Sequence, residues 1–155
     1  MTKEQMDSYK LRITQAGVGE LTVIMLEMEI QWIEEALLAY SNGDEPVLLD
    51  CLEKAQVVQQ HLMNILNLDN DVARDVYSVF VYINKQLITA RIKKETLDLN
   101  RLKDVLHKYL VSFREIAKTD EEGPVMLASE KVYAGLTYGS GGLVESSIGG
   151  MDFTI

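Results

Sequence analysis

Apolar residues recur along most of this chain at spacings of three and four, and that periodicity predicts four helices. The first runs from about Glu20 to Tyr40 and stops at Ser41-Asn42-Gly43, a polar-glycine helix end. Asp44 then stands as N-cap with Pro46 in the first turn of a second helix, whose stripe is Leu48, Leu52, Ala55, Val58, Leu62 and Leu66 and which ends around Asn67. Asp69 or Asn70 caps the third, with the stripe Val72, Val76, Val79, Ile83, Leu87 and Ala90. The fourth is the most regular, with Leu99, Leu102, Leu106, Tyr109, Phe113 and Ile116, and it closes at Lys118-Thr119-Asp120 before Gly123-Pro124. Short loops between helices of about 20 residues, each ~30 Å long, give the expected fold class: all-α, an antiparallel up-and-down four-helix bundle.

The flanks read differently. Residues 1–18 are polar, with Tyr9, Leu11 and Ile13 as isolated apolar points, and read as an irregular N-terminal arm or cap. Residues 19–120 form the bundle, and 121–155 a flexible tail that can dock on it and add a short helix over 125–134. Six of the 10 glycines fall in the last 21 residues, yet Leu136, Tyr138, Leu143 and Ile148 are spaced among them.

Two helices carry more apolar surface than one core can use. On the first, Val23, Leu26, Ile30, Ile33, Leu37 and Tyr40 make one stripe, and Leu21, Met25, Met28, Trp32 and Ala36 make another on roughly the opposite face. On the third, Tyr77, Val81, Ile88 and Ile92 lie away from the core stripe, interrupted by Asn84 and Lys85. Leaving four or five large side chains in water forgoes several kcal/mol, at about 1.5–3 kcal/mol each, against a total stability of ~5–15 kcal/mol. The second stripes therefore predict a cover: the arm, the tail, a second copy in a homodimer, or a partner chain.

Charge and chemistry narrow the classes. A formal net charge of −9 repels phosphate backbones and argues against nucleic acid. The lone Cys51 cannot form an internal disulfide, MTKEQMDSYK lacks a signal peptide's apolar core, and no run approaches a membrane span, so a cytoplasmic protein is expected. No active site is visible. Asp104 and His107 offer a single weak metal half-site where a di-iron bundle needs two Glu-x-x-His pairs and two further glutamates. Cys51 reads as a small buried hydrophobe, and the acids Glu27, Glu29, Glu34 and Glu35 as a solvated rim. The tail's Tyr-Gly-Ser-Gly-Gly lacks the Lys-Ser/Thr of a phosphate loop. The expectation is a binding protein without cofactor, metal or catalysis. Two other classes stay open: a phosphotransfer bundle using His61, which lacks the usual following Lys-Gly, and a constitutively dimerising structural bundle.

ITQAGVGELTVIML (Ile13 to Leu26), with Tyr9 before it, resembles the N-terminal signature of the FliS family of flagellin-specific export chaperones: a Tyr, an aliphatic, then a turn into Glu-Leu, here at Tyr9, Ile13, Ala16 and Glu20-Leu21. KAQVVQQHLMNILN (Lys54 to Asn67) is similar to the family's second helix. VFVYINKQLITARIKKE (Val79 to Glu95) is similar to its third, at Tyr82, Leu87, Ala90 and Ile92, and Phe113-Arg114-Glu115 to its fourth. The ordered set spans about residues 9–118. It departs from the pattern at Val18, where a proline is expected, at Leu26-Glu27, where Leu-Tyr is expected, and at Ala117, where a tryptophan is expected.

The resemblance implies a cytosolic chaperone that binds the disordered C-terminal segment of flagellin in apolar grooves, prevents premature polymerisation and supports delivery to the flagellar type III export components. It also implies an arm that occupies part of the client surface until flagellin displaces it. On that reading Tyr77, Val81, Ile88, Ile92 and, from the second helix, Val57 form the client groove. Tyr9 and Ile13 form an N-terminal lid, and Val132, Tyr133, Leu136 and Tyr138 are candidate tail contacts on the same surface.

Overall fold

The structure is a computed structural model, and it describes residues 1–118, the side chain of Val18 excepted. The expected helix over 125–134 and the tail contacts at Val132, Tyr133, Leu136 and Tyr138 lie outside the described residues. Within them the chain is an all-α bundle of five helices without a strand: α1 (Lys3–Gln15), α2 (Val18–Ser41), α3 (Glu45–Asn64), α4 (Asp71–Lys93) and α5 (Leu99–Lys118).

The local signals explain where the helices begin and end. α2 stops where expected: Gly43 takes the left-handed conformation (φ 71°) that glycine adopts without strain, and the Asp44 amide closes the turn on the Ala39 carbonyl at 2.9 Å. The Asp44 side chain accepts the Val47 amide at 3.3 Å to cap α3, with Pro46 in its first turn. Asn70, not Asp69, caps α4, its Oδ1 accepting the amides of Val72 (2.9 Å) and Ala73 (3.3 Å). α4 ends on Lys94, the one non-glycine among the described residues in the left-handed region (φ 55°, ψ 46°).

The N-terminal segment corrects the sequence reading. It is not irregular: α1 is a 13-residue helix opened by a capping box, in which the Thr2 hydroxyl accepts the Gln5 amide and the Gln5 side chain accepts the Thr2 amide. Its apolar residues Met6, Tyr9, Ile13 and Ala16 sit three and four apart and pack half-buried against the core, and none is fully buried.

α2 is the hub. It packs extensively on α3 and α5 and carries α1 along its remaining side, whereas α4 packs on α3 and only lightly on α5. Between α4 and α5 the edge-to-face pair Phe80–Tyr109, with centroids 5.5 Å apart, spans part of the gap. Cross-links fix the ends: Arg114 of late α5 reaches Glu27 of early α2 at 2.9 Å, Lys103 of early α5 reaches Glu34 at 3.7 Å, and Lys94 just past α4 reaches Glu45 at the start of α3 at 2.6 Å. Both stripes of α2 are consequently buried from Leu21 to Ala36, Met25, Met28 and Ala36 as completely as Leu26 and Ile33, and only the last turn opens, with Leu37 half-buried and Tyr40 exposed. The surplus surface of that helix is consumed inside the molecule up to that turn.

Candidate functional site

α4 behaves otherwise. Its core face (Val76, Phe80, Ile83, Leu87, Ala90) is buried, and its other apolar positions remain in reach of solvent. Tyr77, Val81 and Ile88 are half-buried, and Ile92 is 75% exposed. Ile88 and Ile92 meet Pro46, Leu49, Asp50 and Glu53 of α3 and their own neighbour Arg91 around an open groove of about 670 Å³. α3 and α4 pack on one another, and no further described helix lines the cleft between their outer faces.

Of the residues expected to form a client groove, Ile88 and Ile92 are brought together. Tyr77 and Val81 continue the same α4 face toward its N-terminus without lining the concavity. Val57, 41% exposed on α3, lies one turn beyond Glu53 on that helix. Five lining residues escaped the sequence reading: Pro46, read only as a helix starter; Leu49, hidden beside the core residue Leu48; and the charged Asp50, Glu53 and Arg91. The run Val47-Leu48-Leu49 was the available signal, since consecutive apolar residues on a helix cannot all face one core.

Arg91 donates to Gln56 Oε1 at 2.7 Å, and the Lys94–Glu45 pair closes the end of the cleft, so the walls are apolar at the bottom and polar at the rim. On the same stripe the Oδ1 atom of Asn84 is buried without a hydrogen-bond partner. The contour and chemistry suit a chain segment that is apolar on one face, not a small ion.

The second feature is the seat of α1. Tyr9 donates from its hydroxyl to Gln31 Oε1 at 3.0 Å. Arg12 donates to Glu27 Oε2 at 2.6 Å and to Glu20 Oε1 at 3.0 Å, and the Met1 amine pairs with Glu35. These anchors place α1 along the face of α2 bearing Glu20, Ile24, Glu27, Gln31 and Glu35, so Tyr9 and Ile13 cover α2 and do not reach over the α3/α4 groove. Burial pushes Glu27 upward, but the guanidinium groups of Arg12 and Arg114 outweigh it and hold its carboxyl below the ordinary range. The Arg12 guanidinium is raised by its hydrogen bond to Glu27, and the Tyr9 hydroxyl by burial and then by the charge of Glu27.

Glu27, Glu29, Glu34 and Glu35 are thus not one solvated rim. Glu34 is exposed, Glu27 and Glu35 are half-buried and paired, and Glu29 is fully buried (0% exposed) in the core. With the Gln59 amide nitrogen facing the carboxyl, it donates to Glu29 Oε1 at 2.7 Å and Oε2 at 2.9 Å. Burial raises the Glu29 carboxyl well above its ordinary value, favouring the neutral acid.

The remaining chemistry-bearing residues stay apart. Cys51 is buried, which pushes its thiol up and away from reactivity. His61 is half-buried in the last turn of α3, while His107 and Asp104 are exposed on α5. Among the described residues no three His, Cys, Asp or Glu side chains come together in a way that could hold a metal ion. No helix among them is long and apolar enough to cross a membrane.

A family model described as "Flagellar protein FliS" matches residues 1–120, which spans all five helices. No curated protein matches the chain.

Proposed function

The chain belongs to the FliS family of flagellar export chaperones, which are not enzymes, and from that premise we propose that it is a cytosolic chaperone for the C-terminal segment of flagellin. Its scaffold is the up-and-down antiparallel arrangement of α2 to α5, with α1 as a cap. The disordered client segment lies along the α3/α4 groove as an amphipathic helix, placing apolar side chains against Ile88 and Ile92 and extending over Val81, Tyr77 and Val57. Bound there, the segment is withheld from filament growth until the chaperone delivers it to the export apparatus.

One observation carries this reading: Ile92, with 75% of its surface exposed, stands beside a 670 Å³ cleft on the one core helix whose second apolar stripe stays uncovered among the described residues. Ordering a disordered client costs several kcal/mol, about 2–5 in coupled folding. Full burial of an exposed large side chain contributes about 1.5–3 kcal/mol; Ile92 gains most of that, and the partly buried Tyr77, Val81, Ile88 and Val57 a fraction each, which together offset the cost.

The lid assigned to Tyr9 and Ile13 takes a modified form. α1 guards the face of α2 around Ile24, so its displacement opens a second surface next to α5 and does not gate the α3/α4 groove. A long client can engage the groove first and α2 afterwards.

The test is titration of the purified protein with a flagellin C-terminal peptide, monitored by calorimetry. Val81→Asp and Ile88→Asp are expected to weaken binding by about tenfold or more each, because a charge cannot be desolvated in the groove, with helical content near normal. A folded Ile88→Asp variant that retains full affinity overturns the assignment of this groove.

A further inference from the structure

The α3/α4 groove has a second candidate occupant in the chain itself. Residues 119–155 lie outside the described structure, and they begin where α5 ends, at Lys118. From Lys118 to Val132 is ~14 residues, which can extend over roughly 48 Å at about 3.4 Å per residue. The 23-residue α4 is only ~35 Å long. Every part of the groove is therefore within reach of the segment that follows α5.

Charge and pattern favour that segment over a second copy of the bundle. Residues 119–155 hold six acids against the single base Lys131, five of the chain's nine net negative charges. The half of α4 that borders the groove carries Lys85, Arg91 and Lys93 and no acid from Asn84 to Lys93, Lys93 standing 3.9 Å from Glu95 and Lys94, just past the helix, paired with Glu45. Asp50 and Glu53 on the α3 side leave the attraction one-sided, toward α4. A second copy, at −9 overall, would meet a bundle of the same sign and be repelled by it. Within the segment Val132, Tyr133 and Leu136 fall at helical spacing, an apolar strip flanked by Glu130 and, upstream, Asp120 to Glu122. An amphipathic strip with acidic flanks complements an apolar cleft with a basic wall.

We infer that residues 132–138 of this chain, carried by the linker 119–131, dock in the α3/α4 groove in the absence of client and compete with it. The inference rests on the client reading of that groove. A tethered competitor acts at an effective concentration near the millimolar range. It holds the groove covered at low cost and yields to a client that makes the larger contact, so the exposed Ile92 is shielded between client encounters.

The test uses the full chain with a reporter thiol introduced by Glu53→Cys, at the groove but outside its apolar floor; the buried Cys51 serves as the slow internal reference. Its alkylation rate is compared with the natural tail and with Val132→Asp/Tyr133→Asp/Leu136→Asp, no client being present. The tail substitutions are expected to raise the rate by at least about threefold. Raising salt to about 0.5 M is expected to do the same for the natural tail. Asp120→Asn/Glu121→Gln/Glu122→Gln, which leaves the apolar residues in place, is expected to give an intermediate rate. Equal rates for all tails overturn the inference, and a rate that falls with protein concentration overturns it in favour of a second copy. Adding a flagellin C-terminal peptide separates this inference from the reading beneath it. Peptide protection with tail-independent labelling removes only the tail; tail-dependent labelling without peptide protection removes the client groove.

Discussion

α2 and α4 carry the same signature in the sequence, two apolar stripes on opposing faces, and meet opposite fates. α2 has three neighbours, so Met25 and Met28 on one stripe are as deeply buried as Leu26 and Ile33 on the other. α4 has one extensive neighbour and one light one, so its second stripe runs from half-buried Tyr77 to Ile92 in open solvent. A doubly apolar helix is thus either a hub or a docking face. The deciding quantity is the number of neighbours, which periodicity does not encode. On the proposed reading, surplus apolar surface serves binding where a helix has few neighbours, as α4 does.

Truncation on the two helices should separate the fates most sharply. Met25→Ala is expected to cost about 2–5 kcal/mol, the transfer term plus a cavity that three surrounding helices cannot collapse. Ile92→Ala should change stability by no more than about 0.5 kcal/mol, because the side chain is already hydrated. Urea unfolding followed by circular dichroism measures both. Comparable losses at the two positions would mean that Ile92 is covered, and the contrast between hub and edge would fail.

Much of this arrangement was legible in residue order. Gly43, Asp44 and Asn70 mark the helix boundaries through turn and cap chemistry that acts over three or four residues, and the regular α5 stripe needed no tertiary information. α1 is less legible because the exposed Leu11 interrupts the helical spacing of Met6, Tyr9, Ile13 and Ala16, and because a capping box as short as Thr2–Gln5 is a weak cue by itself. Glu29 was missed for a related reason. It sits among other acids, yet it falls at helical spacing with Met25, Trp32 and Ala36, on a stripe that was read as apolar. Gln59 stands likewise in register with Leu52, Ala55, Leu62 and Leu66. A polar residue that keeps step with an apolar stripe is a sign of a buried polar pair. At the groove, Ile88 and Ile92 were readable as surplus, but their convergence with Pro46 and Leu49 depends on how α3 leans on α4.

The Glu29–Gln59 pair gives the hub a pH signature that the edge lacks. With the folded carboxyl raised and the unfolded one ordinary, both states are protonated at low pH and the group contributes no difference. As pH climbs above the ordinary carboxylate range, the unfolded chain releases the proton while the folded chain retains it. Stability then falls, by about 1.4 kcal/mol per pH unit, until the folded group also ionises. Glu29→Gln keeps two amides able to pair and removes the titration, so it is expected to flatten this slope and to stabilise the protein at neutral pH. Thermal melts at a series of pH values above 4.5 provide the check. A slope unchanged by the substitution would mean that Glu29 is hydrated in solution.

The smallest expected effect concerns α1, which lies between the two cases. It is seated on the hub but contributes no buried residue to it, so its hold depends on half-buried Tyr9 and Ile13 and on the charges that converge at Glu27. Glu27 receives Arg12 from α1 and Arg114 from α5. If α1 leaves, Arg114 still satisfies the carboxylate, so departure strands no buried charge. The ion pairs are partly exposed, and pairs of that kind contribute about 0.2–1 kcal/mol each. Arg12→Ala should therefore lower global stability by less than about 1 kcal/mol, and the larger change should be local. Amide hydrogens of α1 are expected to exchange markedly faster while those of α2 to α5 keep their protection. Arg12→Lys should restore part of the protection, because an ammonium keeps the charge but cannot bridge Glu20 and Glu27 with a planar fork. Uniformly faster exchange across all five helices would instead make α1 an integral layer of the core, and α2 would then be a hub of three permanent contacts with nothing to uncover.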